Sequence, residues 1–141
     1  MGGSVDIGEA GMADAEAAIE AMQSFRQAEA ALQRNDAANA LRLAQKAVQG
    51  DPSSPDYQTL LAWVKSLAGI PKVMEESIRT MSRVLIEDPS NERALFYRGK
   101  LLVRSHRLQE AMTDFSELLS INPQHGEAAA ELRMVKQRLG A

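Results

Sequence analysis

Few side chains in this 141-residue chain are of the kinds that do chemistry, and their spacing argues against a catalytic centre. Cysteine is absent, which excludes disulfides, thiolate nucleophiles and Cys-based zinc sites. The only imidazoles are His106 and His125, whose company is Arg107 and Gln124 rather than carboxylates at metal-ligand spacing. Both read as solvated loop histidines. Glu75-Glu76 is a carboxylate pair in sequence alone, because adjacent residues on a helix diverge. Neither a G-x-S-x-G elbow nor a phosphate-cradling G-x-x-x-x-G-K-S/T or G-x-G-x-x-G loop occurs. Met74, Met81, Met112 and Met134 fit core filling. The expectation is therefore no enzyme, with no catalytic, cofactor or metal residues.

Hydrophobic residues make up 45% of the chain, enough for a core, yet only 4% are aromatic and alanine is abundant. Such a composition favours helices packed closely over small side chains. No period-two run long enough for a strand is present. The net charge of −3 lacks the basic excess of a nucleic-acid binder. No apolar run approaches the length of a membrane span, and the N-terminus lacks the basic and apolar regions of a secretory signal. Charge is nonetheless uneven. Asp6, Glu9, Asp14, Glu16 and Glu20 crowd residues 1–25, which contain no Lys or Arg, whereas Arg93, Arg98, Lys100, Arg104 and Arg107 gather later.

The elements that must position these groups are punctuated by Asp51-Pro52, Asp88-Pro89 and Asn122-Pro123, whose prolines lie 37 and 34 residues apart. Proline ends a helix, since it lacks the N–H and clashes with the preceding turn. Before each pair one helical face recurs at i, i+4, i+7: Ala40/Ala44/Ala47, Ser77/Met81/Val84 and Ala111/Phe115/Leu118. Each face ends five residues before its proline. The pattern predicts helices over about 14–34, 37–49, 56–67, 73–87, 92–105, 108–121 and 126–139.

The third unit reads Leu95-x-x-Arg98-Gly99-x-x-Leu102, then Ala111-x-x-x-Phe115, then Pro123. This resembles the signature of the tetratricopeptide repeat (TPR), with Gly99 and Ala111 the informative matches. Ala28 and Ala40 take these roles in the first unit, Ala62 and Ser77 in the second. There are departures: Ser24 and Gln27 stand where large apolar residues are usual, Arg98 where a leucine is usual, and about three extra residues fall near Gly69-Ile70-Pro71-Lys72. The resemblance implies an all-α, right-handed superhelical solenoid of three helix-turn-helix repeats with a C-terminal capping helix. The expected division is a flexible leader over 1–12, then three repeats at about 21–54, 55–91 and 92–125 within 13–125, with an extended first helix. A capping helix over 126–141 completes it.

The resemblance also implies a concave groove lined by the first helix of each hairpin. The residues it assigns there are Phe25, Glu29, Leu32, Thr59, Trp63, Arg93, Phe96, Lys100, Val103 and Arg104, with Met22, Asp56 and Ser66 at further facing positions. Trp63, the single tryptophan, neighbours the packing residue Ala62 and is expected to lie off the packed face. Members that grip a C-terminal carboxylate of Hsp70 or Hsp90 use a Lys/Asn/Asn/Lys/Arg set. Phe25, Glu29, Leu60, Arg93 and Tyr97 stand in those places, and only Arg93 has a suitable charge. The expected role is a cytoplasmic scaffold or adaptor, chaperone-like, that takes an apolar peptide or helix of a partner protein. No nucleic acid, membrane or cofactor is expected to be involved. The chain is expected to be a segment of a larger bacterial protein. The alternative is a homo-oligomerisation module, such as a homodimer, acting through the extended N-terminal helix and its Ile19/Met22/Phe25 stripe.

Overall fold

A computed structural model describes residues 8–140, all helix and short turns, with no strand among the described residues. The helices are α1 (Gly8–Gln33), α2 (Ala37–Gly50), α3 (Pro55–Ser66), α4 (Pro71–Glu87), α5 (Glu92–Arg104), α6 (Leu108–Ile121) and α7 (Gly126–Arg138). Of the leader expected over residues 1–12, residues 1–7 lie outside the described residues, and residues 8–12 belong to α1, which therefore starts earlier than Asp14. The chain divides into two compact units, residues 1–57 and 58–141.

Local chemistry sets the helix ends. Asp36 caps α2 by accepting from the Asn39 N–H at 3.2 Å, and Asn91 caps α5 by accepting from the Ala94 N–H at 2.9 Å. The bonds from the Asn39 side chain and then its backbone N–H pull the Asp36 carboxyl below its ordinary value. His125, read from sequence as a solvated loop residue, caps α7 instead: its Nδ1 accepts from the Ala128 N–H at 3.1 Å. Asn35, Gly69 and His106 all take positive φ at the turn inside their hairpins. His106 thus occupies the backbone slot that glycine fills in the second hairpin. The three extra residues of that hairpin do not form a loop. They lengthen α4 to 17 residues, against 14 each in α2 and α6, with Pro71 in its first turn.

In the first unit, α1 and α2 pack through alanines: Ala21, Ala28 and Ala31 are buried on one helix and Ala40, Ala44 and Ala47 on the other. The approach is so close that a Cβ on Gly50 would come within 2.6 Å of the Ala21 Cβ. Phe25 is covered by Tyr57, with ring centroids 4.9 Å apart. In the second unit, the Ser77 hydroxyl on α4 donates to the Ala62 carbonyl on α3 at 2.6 Å. Gly99 on α5 admits the Phe115 ring of α6: a Cβ there would lie 2.6 Å from that ring. Leu60, Met81, Leu101, Phe115, Leu118 and Val135 are fully buried and form the body of this core.

Arg98, which departs from the repeat pattern, has a specific partner. Its guanidinium donates from two nitrogens to Asp114 at 2.8 and 2.7 Å and from a third to the Ser82 hydroxyl at 3.2 Å. Asp114 is buried, so α4, α5 and α6 are tied by a charged cluster at the place where the repeat resemblance implied a leucine. A second cluster is exposed: Arg107 bonds Glu110 at 2.9 and 2.8 Å and Glu75 at 3.1 Å. Each partner favours the other's charged form, raising Arg107 and lowering Glu110 from their ordinary pKa values.

Candidate functional site

The second unit brings together an aromatic and cationic cluster on α3 and α5. Trp63 and Tyr97 stack with centroids 4.6 Å apart and planes 13° apart. Lys100 Nζ lies 5.2 Å from the Trp63 ring and 5.3 Å from the Phe96 ring, and the Arg104 guanidinium lies 5.9 Å from Trp63. These are cation–π distances. Phe96 also meets His125 at 5.0 Å and Phe115 at 6.2 Å. Helical spacing explains the assembly: positions 93, 96, 97, 100, 103 and 104 fall on one face of α5.

The expected position of Trp63 needs correction. It does not stand off the packed face but is only 7% exposed, with Tyr97 stacked on it and the charged groups of Lys100 and Arg104 over its ring. Thr59 is fully buried and lines no open surface. Phe25 is buried beneath Tyr57, while Glu29 and Leu32 are half-buried on α1. Arg93, Phe96, Lys100 and Val103 are half-buried, and Arg104 is exposed. Of the expected set, the structure therefore groups Trp63, Phe96, Lys100 and Arg104. It adds His125, which the sequence reading did not place there, and Tyr97, which that reading named only among the places of the carboxylate grip. Tyr97 had a legible signal, since it stands one helical turn before Lys100 and shares its face. His125 had none, because its approach to Phe96 depends on how α7 follows α6.

Two polar features stand out. No ion pair involves Lys100 or Arg104 among the described residues. The Thr59 hydroxyl is buried with no hydrogen-bond partner among the described residues. A buried, unmatched hydroxyl is costly, so Thr59→Val is expected to raise stability by about 1 kcal/mol. Urea denaturation followed by Trp63 fluorescence measures this. A loss of stability would mean that the hydroxyl has a partner after all. Among the described residues no group of three or more His, Asp or Glu side chains could hold a metal ion, and no helix is long and apolar enough to cross a membrane.

Residues 92–125 match the tetratricopeptide repeat family. No curated protein matches the chain by sequence. Among solved structures, it is similar to the first TPR of Spaghetti (RPAP3) bound to the HSP90 peptide SRMEEVD, with TM-score 0.73 and 21% identity over 88% of this chain and 98% of that one. The Sgt2 TPR domain of Aspergillus fumigatus gives TM-score 0.72 and 17% identity over 86% and 80% of the two chains. Pseudomonas aeruginosa pilF gives 0.72 and 26% over 91% and 56%.

Proposed function

We propose that this chain, a tetratricopeptide-repeat domain, is a protein-interaction scaffold that receives a peptide or helix of a partner protein on the exposed face of α5. The observation that carries the proposal is the composition of that face. Phe96 and Val103 supply half-buried apolar contact, and Lys100 and Arg104 form no ion pair among the described residues. Interaction surfaces combine such an apolar centre with a charged rim that selects the partner. A cytoplasmic setting is part of the proposal and accords with a chain free of cysteine.

The RPAP3 neighbour is bound to the HSP90 peptide SRMEEVD, but the residues here favour a different ligand. At the five places of the carboxylate grip, Phe25 and Leu60 are buried, Glu29 is acidic and Tyr97 is stacked on Trp63. Only Arg93 suits an anion there. An apolar or helical segment with complementary charge is the better fit.

Pull-down with mass spectrometry tests this, comparing the wild type with a Phe96→Ala/Lys100→Glu/Arg104→Glu variant. Partners recovered with the wild type are expected to be lost with the variant, while circular dichroism stays helical. Equal recovery would refute the assignment. Trp63→Ala is the poorer probe, because removing a covered ring disturbs packing and binding together. The peptide SRMEEVD is expected not to bind.

A second reading, homo-oligomerisation through α1, is favoured by one observation. Met12, Ile19 and Met22 on that helix are 53%, 50% and 39% exposed. Apolar side chains left open along one helix invite a partner.

A further inference from the structure

Resting on that second reading, the geometry points to a specific contact: the outer face of α1 docks on the Phe96/Lys100/Arg104 face of α5 in a second copy of this chain. Among the described residues neither Glu16 and Glu20 on the first face nor Lys100 and Arg104 on the second forms an ion pair within one copy, and the two faces complement each other.

On α1, Glu9, Met12, Glu16, Ile19 and Glu20 share one face by helical spacing. All five are exposed, with Met12 and Ile19 half open to solvent. The buried residues of α1, Ala21, Ser24, Phe25, Ala28 and Ala31, follow a different face, so this stripe is not the one that packs on α2. Neither Glu16 nor Glu20 forms an ion pair among the described residues.

On α5 the pattern is the converse. Lys100 and Arg104 stand four residues apart, as do Glu16 and Glu20, so each pair spans about 6 Å along its helix. Two helices laid side by side bring both cations opposite both carboxylates. Phe96 and Val103, half-buried beside the cations, then meet Met12 and Ile19 beside the acids.

Charge decides against the simpler pairing of α1 with α1. Residues 1–25 hold five acids and no Lys or Arg, so two such helices would repel. The contact joins two different surfaces. Made reciprocally across a two-fold axis, it closes as a dimer. It also places the second copy where a partner protein is proposed to bind, so the two compete.

Light scattering of the full chain, from micromolar to millimolar concentration and at low and high salt, tests the contact. The expected mass rises to that of a dimer at low salt and falls back as salt screens the exposed charges. Glu16→Lys/Glu20→Lys and Lys100→Glu/Arg104→Glu each weaken association on the order of a hundredfold by placing like charges together. Mixing the two variants makes both contacts complementary, one as in the wild type and one with its charges exchanged, and therefore regains a mixed dimer. A chain that stays monomeric throughout overturns both this contact and the second reading. Association abolished by the α1 variant but unchanged by the α5 variant overturns the contact and spares the reading. Failure of the mixture to associate, when each variant alone is monomeric and helical, also overturns the contact. The measurement uses no partner protein, so its outcome is separate from that of the pull-down.

Discussion

Phe115→Ala is expected to cost about 3–5 kcal/mol, the range for removing a large ring from a core that cannot collapse around the gap. Phe115 is fully buried and fills the space that Gly99 leaves on α5. The reverse substitution, Gly99→Ala, forces a Cβ to within 2.6 Å of the same ring and is expected to cost about 1–3 kcal/mol. Because the two sites share one contact, the double variant should lose less than the two single losses combined. Urea titrations read by Trp63 fluorescence, which reports on the second unit, give all three values. Strictly additive losses would show that the ring does not occupy the glycine's space.

Arg98→Leu should destabilise the protein by about 3 kcal/mol although it restores the residue usual in the repeat. The substitution strands Asp114, whose side chain is 4% exposed and whose oxygens both accept from Arg98. A carboxylate left buried without its partner costs far more than a leucine gains there. Replacing Asp114 by leucine as well removes the stranded charge and is expected to recover most of the loss. Arg107→Leu supplies the contrast. Its partners Glu75 and Glu110 are exposed at 48% and 57% of their side-chain surface, so that loss should stay below about 1 kcal/mol. Thermal or urea melts of the three variants decide the point, and equal costs for Arg98→Leu and Arg107→Leu would show that burial of Asp114 does not set the cost.

The repeat was readable because its causes are local. An Asp-Pro or Asn-Pro pair ends a helix wherever it stands, and small residues at fixed spacing mark where two helices can approach. The resemblance to the repeat signature implied Gly99 and Ala111 as crossing points, and the Cβ clash at Gly99 is the same requirement seen in coordinates. The extra residues near Gly69 were also legible as a count. That they lengthen α4 rather than a loop was not, since Pro71 is as compatible with a turn as with a first helical turn.

The candidate site was legible as a face and not as an exposure. Helical phase put Phe96, Lys100, Val103 and Arg104 on one side of α5. It could not say that Tyr97 would lie flat on Trp63, because stacking between residues 34 positions apart depends on the distance and tilt of two helices. Burial of Trp63, the capping role of His125 and the pairing of Arg98 with Asp114 share that origin. The amino-acid order by itself determined the helices, their breaks and the small residues at their crossings, since each follows from backbone sterics within a few positions. Only the tertiary structure decided which charges are neutralised and which aromatic rings are covered. Those outcomes are set by angstrom-scale distances between helices that no periodicity encodes.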